Sequence, residues 1–512
     1  MVMLSNLSSS IHDHSLDPSS TRLAKKLTWL MVIAFGLAGE VGAGIFAVSA
    51  QVQGITPGIG AQVPLAIFVD GCIALTLAAT YWFFSGSLAG AGGEYLFISR
   101  TLGARFGFIV HVISWFGSTA SIGFLAYVAP TFLASALNSM SPGLGTPLTT
   151  IEGQWIAGLA MIWIAWAMHA RGIRLVGVAL QIAMGVILFA GLLVMIVGFS
   201  HSSTSLLTIL ALKDHLSPSS LMSGAPQQTH FAFFMVLPVL YYAYSGLRGA
   251  TYTGGETANA KKILGNSMIV LVFLVTAFYT LFAAALYHLV PWQLLSGLMR
   301  DHDTSLASAS ALIGLLLPGW LDVILSFAVA LIVFKTILPV MMGQSRMMLA
   351  FSADGLLPSY FKHLSSFQTP VRTLTVGAFM SSVVLTQTVF TGTAFGLASS
   401  VLAGTIVHFA LGLGVLRLPK SAPLLYENNR TWLKKKRRLQ LLLGWIQMLI
   451  AVGLAYLVVL PSLKTIWYFN PLFQVILFGV IGWVLYSRYW RMVVTTNGLK
   501  EHQVTFQSES SL

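Results

Sequence analysis

Charge is what this sequence has least of. Lys, Arg, Asp and Glu make up 8% of its 512 residues, against about 25% in an ordinary soluble domain. So few charges cannot clothe a soluble surface. With 56% hydrophobic residues and a mean hydropathy of +0.81, the composition points to a polytopic all-α membrane protein. The single cysteine, Cys72, excludes a disulfide within one chain. No G-x-x-x-x-G-K-[ST] run is present, so no phosphate loop couples nucleotide hydrolysis to work. No His/Cys cluster has metal-ligand spacing and no catalytic constellation is visible. Neither a metal, a cofactor nor an enzymatic role is therefore expected.

What is present is long apolar runs. Twelve spans are predicted, at 27–50, 62–89, 105–135, 155–170, 174–200, 230–254, 266–290, 318–350, 372–390, 394–416, 440–461 and 466–487. The third and eighth are longer than one crossing needs, which predicts tilt or turns beyond the bilayer. Of the 28 Lys and Arg, Lys213, Arg300 and Lys464 fall on one side and Arg248 and Lys335 within spans. The other 23 lie on the side that holds both termini. The positive-inside rule makes that side the cytoplasm, with the protein in the cell (plasma or inner) membrane. The expected organisation is a cytoplasmic leader, 1–26, a transmembrane domain, 27–490, and a cytoplasmic tail, 491–512. The leader lacks the basic start and short apolar core of a cleaved signal. The basic run Lys434 to Arg438 directly precedes a span, where contact with anionic lipid or an orientation signal fits better than nucleic acid.

Two spans are interrupted. The first contains G-L-A-G-E-V-G-A-G-I-F, residues 36–46, with Glu40 among glycines. Glycine is a poor helix former and admits backbone angles that other residues avoid. Irregular backbone at membrane depth is tolerated only where it lines a cavity or is buried in protein. The alternative is that the glycines serve close helix packing. The sixth span repeats the oddity, reading Y-Y-A-Y-S-G-L-R-G over 241–249, with Arg248 between Gly246 and Gly249. Glycine-interrupted spans at matching positions in two halves point to inverted repeats, about 27–200 and 230–416, with extra helices at about 440–487. In such folds substrate binds at the midplane, between the two breaks.

Other polar residues fall within or beside spans. Span two holds Asp70 and ends in A-G-A-G-G-E-Y, whose Gly92, Gly93 and Glu94 are predicted to act as a cytoplasmic hinge or gate. Lys335 lies in span eight among Val333, Phe334, Ile337 and Leu338. It could snorkel outward, or pair with Asp322 for structure. His111 and His408 are lone histidines, expected to be satisfied packing groups. Asp354-Gly355 reads as a turn.

Four of these stretches together resemble the amino acid–polyamine–organocation (APC) permeases. They are Gly42-Ala-Gly-Ile-Phe46; Ala91-Gly-Gly-Glu-Tyr95 with Gly103 and Gly107; Tyr242-Ala-Tyr-Ser-Gly246 through Glu256 and Asn259; and Ser345-Arg346 with Asp354-Gly-Leu-Leu-Pro358 and Thr369-Pro370. The resemblance covers roughly residues 27 to 490. It implies the LeuT-type 5+5 inverted repeat with discontinuous helices one and six, plus two C-terminal helices. It also implies secondary transport of an amino acid or related amine, by symport or antiport, with proton or sodium as the coupling ion. A non-transporting sensor on the same scaffold is the alternative. The resemblance places the substrate carboxylate on Gly42, Ala43, Gly44 and Ile45, and the amine on carbonyls around Tyr242, Tyr244, Ser245 and Gly246.

The sequence also departs from the family. Arg248 stands at a position commonly Asp or Asn. It is expected either to pair with Glu40 or to take an acidic group of the substrate while Glu40 handles a cation or proton. Family members with a lysine in helix five use its ammonium in place of a sodium ion between helices one, five and eight. Here Leu188 occupies that position, and Lys335 on helix eight is expected to substitute for it.

Overall fold

The computed structural model describes residues 28–497 except 43, 91, 214–216, 302–305 and 393–395. The leader, most of the tail after 497, and Ala43 and Ala91 therefore lie outside the described residues. Among those described, eleven helices are long and apolar enough to cross a membrane, and a twelfth crossing is split. The split one comes first, as α1a (Trp29–Glu40) and α1b (Ser49–Ile55). There follow α2 (Val63–Ser85), α3 (Ala104–Met140), α4 (Ile151–Ala170) and α5 (Ile173–Ser200). The sixth crossing is again divided, into α6a (His230–Tyr241) and α6b (Leu247–Thr251). The rest are α7 (Ala260–Leu289), α8 (Gly319–Ala353), α9 (Val371–Thr391), α10 (Gly396–Ser421), α11 (Arg437–Ser462) and α12 (Pro471–Asn497). All twelve predicted spans are found, most within a few residues of their predicted ends.

The 37 residues of α3 and the 35 of α8 pack against each other along the middle of the bundle. At ~1.5 Å per residue each runs to about 50 Å, well beyond a hydrocarbon core of about 30 Å. The predicted excess length is thus real. Large apolar side chains on α4, α5, α11 and α12, among them Ile156, Ile196, Leu449 and Trp483, are exposed around the outside of the bundle. This is the surface a bilayer would cover.

Both predicted interruptions are present. α1a is capped at its start by the Thr28 side chain, which accepts from the Met31 amide. It stops at Val41, which turns to an extended conformation, and the chain resumes through a single π-helical turn over Gly44–Val48. The sixth crossing loses its α-helical ladder at Tyr242–Tyr244, a 3-10 turn four residues after Pro238. The breaks are backbone to backbone. A Cβ on Gly246 would run into the Gly39 carbonyl oxygen, and one on Gly39 would lie 3.3 Å from the Gly246 carbonyl. Glycine at these two positions is a requirement of that approach.

Candidate substrate site

Two side chains hold the first break. The last carbonyls of a helix have no intrahelical donor, and α1a ends inside the protein. Lys335 of α8 supplies the missing donors: its ammonium bonds the carbonyls of Ala38 and Val41. A cation at a helix C-terminus also meets the negative end of the dipole. The lysine is fully enclosed, so it does not snorkel. The Tyr279 hydroxyl of α7 lies 2.6 Å from the Glu40 carbonyl and 3.2 Å from the Ala243 carbonyl, bridging the two breaks. The buried Glu40 carboxylate faces the amides of Leu247 and Gly246 and feels the Lys335 charge, yet neither oxygen closes a hydrogen bond.

On the other side of α6 lie two small cavities. One, of about 40 Å³, is lined by Ser118 and Ser121 of α3, Ser245, Gly246, Arg248 and Gly249 around the break, Tyr252, Pro339, Val340 and Gly343 of α8, and Ser400 of α10. The second, of about 20 Å³, touches Tyr241, Tyr242, Tyr244, His408 and Leu77. Arg248, Ser245 and Ser400 border both. Serine hydroxyls and one guanidinium, which donates 3.2 Å to Ser114 Oγ, are set in a lining that is otherwise largely apolar, with Pro339, Val340, Leu77, Val401 and the tyrosine rings. Ligand pockets normally run to about 300–1,000 Å³. Neither cavity is large enough to enclose an amino acid as it stands.

The structure sorts the predicted site residues. Tyr242, Tyr244, Ser245, Gly246 and Arg248 border the cavities. The Tyr242 hydroxyl is 2.8 Å from Ser121 Oγ, and that of Tyr244 donates to the Ile67 carbonyl at 3.0 Å. Gly42 instead faces Thr336 of α8, and Ile45 is buried in the core. Gly44 opens the π turn. Glu40 and Arg248 do not pair. Glu40 has Lys335 beside it, whereas the carboxylate acting on Arg248 is Glu94. Leu188 lies on the exposed face of α5 while Ile187 is buried, so the position matched to the family's helix-five lysine points away from the helix-one break. His111 Nδ1 donates to the Gly107 carbonyl at 2.9 Å, but its buried Nε2 has no partner, so it is only half satisfied. His408 departs from expectation: its Nδ1 has no partner, and its ring stands edge-on to Tyr241 at the cavity wall.

The proposed gate residues are packed on the sixth span. Gly93 has φ +51°, and a Cβ there would strike Thr251 and Tyr252; Gly92 lies beside Ala350 of α8. Glu94 opens the short helix Glu94–Leu102 and accepts a hydrogen bond from Tyr81 of α2. The same helix carries Arg100, whose guanidinium forms a bidentate, buried ion pair with Asp354 at 2.7 and 3.0 Å. Tyr95 donates to the same carboxylate at 2.5 Å. This clamp, Tyr279 and Ser114 were not anticipated. Arg100 and Asp354 could have been flagged as charges at the ends of apolar runs, but no local signal pairs residues 254 positions apart.

Comparison with known proteins gives a consistent relationship. A family model described as Amino acid permease matches residues 27–482. Cationic amino acid transporter 6, chloroplastic, of Arabidopsis thaliana is 24% identical over 379 residues, covering 72% of this chain and 61% of that one. A branched-chain amino acid permease of Bacillus subtilis is 23% identical over 417 residues, covering 78% and 82%. A glutamate/gamma-aminobutyrate antiporter of Lactococcus lactis is 23% identical, with 58% of each chain covered. The chain spans 61, 66 and 65% of the length of three plant cationic amino acid transporters that it matches.

Proposed function

This chain belongs to the amino acid permease family, and on that premise we propose that it is a secondary transporter, not an enzyme. It moves an amino acid or related amine across the cell membrane by alternating access, with both termini cytoplasmic. The observation that carries the reading is the meeting of the two interrupted helices, Gly39 against Gly246, beside a cavity bordered by Ser118, Ser121, Ser245, Ser400 and Arg248. Breaks of this kind leave backbone amides and carbonyls free for the two ends of an amino acid.

In this account the amides from Gly42 to Gly44 take the carboxylate, and the carbonyls from Tyr242 to Ser245 take the amine. Arg248 reaches a further acidic group of the substrate, with Ser118, Ser121 and Ser400 around it. Relatives named as cationic amino acid transporters would present a positive side chain here; a guanidinium at the cavity disfavours one. Lys335 is a built-in cation at the α1a terminus, where it replaces a metal ion. The Arg100–Asp354 clamp and the Glu94–Tyr81 bond close one end of the path. Repeats at about 27–200 and 230–416 form the transport core, with α11 and α12 outside it.

The test is uptake of a radiolabelled mixture of L-amino acids into proteoliposomes, with and without an internal counter-solute. Saturable uptake or exchange is expected. A purified, folded protein that moves none of them overturns the reading.

A further inference from the structure

Four carboxylates are buried along the transport path, and three have a cation. Asp354 is ion-paired with Arg100. Glu40 has Lys335 beside it, and Glu94 has Arg248. The fourth, Asp70 of α2, is fully enclosed, and neither carboxylate oxygen has a hydrogen-bond partner. A carboxylate taken out of water with neither a hydrogen bond nor a counter-charge is costly to keep without a function. An ionisable residue at membrane depth is by default a functional one.

Its surroundings lead to the substrate cavity. Gly71, next in sequence, lets α7 approach so closely that a Cβ would collide with Thr276. From α6, Tyr241 and Tyr244 both feel the Asp70 charge, and their rings are stacked with centroids 6.4 Å apart. Both rings border the smaller cavity. The Tyr241 hydroxyl has no partner, while that of Tyr244 is spent on Ile67, one turn before Asp70. Tyr279 of α7 packs edge-on to Tyr244 and ties the two breaks. The other titratable groups nearby are Glu40, which acts on the same tyrosines, Arg248 of α6 and Glu94, which both act on Tyr241, His408 of α10 against Tyr241, and Cys72 on α2 itself. From α11, Gln447 meets Thr76, and Tyr456 is exposed. No Lys, Arg or His among the described residues bonds Asp70.

We propose that Asp70 carries the coupling proton of the transport cycle, exchanging it with water that reaches the tyrosine-lined cavity when α6 moves. The inference rests on the transport reading above. In one orientation the carboxyl O–H bond breaks and the proton passes to a cavity water. In the other, the carboxylate takes a proton back from water on the opposite side.

The experiment uses the full chain in proteoliposomes, with a radiolabelled L-amino acid mixture as probe. Net uptake under an inward proton gradient and counter-solute exchange at equal pH are measured for wild type, Asp70→Asn and Asp70→Glu. Wild type should accumulate the probe when the outside is acidified. Asp70→Asn should lose gradient-driven accumulation by roughly tenfold or more while retaining exchange. Asp70→Glu should restore accumulation with a displaced pH profile. Gradient-driven accumulation by Asp70→Asn at the wild-type level and pH profile overturns the proposal. So does loss of exchange together with uptake in both variants, which marks a structural role. A wild type that exchanges amino acids yet ignores the proton gradient, or follows a sodium gradient instead, overturns the Asp70 proposal alone. A wild type that neither exchanges nor accumulates overturns the transport reading.

Discussion

Lys335 and Val41 stand on different helices, yet the lysine ammonium of α8 closes the carbonyl that the end of α1a leaves open. The broken helix is thereby tied to the long helix that borders the cavity, and the cation at the break is part of the chain. Transport should therefore not require sodium. Lys335→Met leaves two buried carbonyls without a donor, at a cost of about 1–3 kcal/mol each. The expected result is a lower melting temperature in detergent and loss of net uptake, with sodium unable to restore it. Wild-type uptake by this variant removes Lys335 from the mechanism.

Tyr279→Phe keeps the ring and deletes only the hydroxyl that bridges Glu40 and Ala243. The loss should be about 1–3 kcal/mol of stability, and the breaks should loosen. Uptake kinetics of the purified variant should show a raised KM. Unchanged KM and melting temperature would show that the bridge is dispensable.

On the proposed reading, Arg248 sets charge preference at the cavity that it borders. In competition against labelled uptake, glutamate and aspartate should outcompete glutamine, asparagine and lysine in the wild type. Arg248→Gln should lose that order by roughly 1–3 kcal/mol of discrimination. A wild type that prefers lysine would contradict the assignment.

The Arg100–Asp354 pair is enclosed, so removing one partner strands a charge at a cost of about 3–5 kcal/mol. Arg100→Ala and Asp354→Ala should each be poorly expressed, and the double variant should recover relative to the singles. Strictly additive losses in that cycle would argue against direct coupling.

How much of this was legible depended on range. The spans follow from local hydropathy, and both breaks from glycines set beside a charge, so Glu40 and Arg248 marked the correct segments. Their partners were not legible. Lys335 meets α1a nearly 300 positions away, with an |i−j| of 297 to Ala38, and Glu40 turns toward it rather than toward Arg248. Tyr279 sits in an apolar run that gives no sign of its role. Leu188 was placed by the family resemblance alone, but a helix advances about 100° per residue, so a shift of one position separates buried Ile187 from the exposed face. Asp70 was visible as a charge within a span, but its lack of a partner appears only in three dimensions.

The central claim is that the two breaks form the substrate site. Gly246→Val tests it most directly, because any Cβ there meets the Gly39 carbonyl. Uptake of the labelled L-amino acid mixture is compared between wild type and this variant, at matched amounts in the membrane. The account predicts saturable uptake by the wild type and none above background by the variant. Uptake by Gly246→Val with wild-type KM and rate would contradict it.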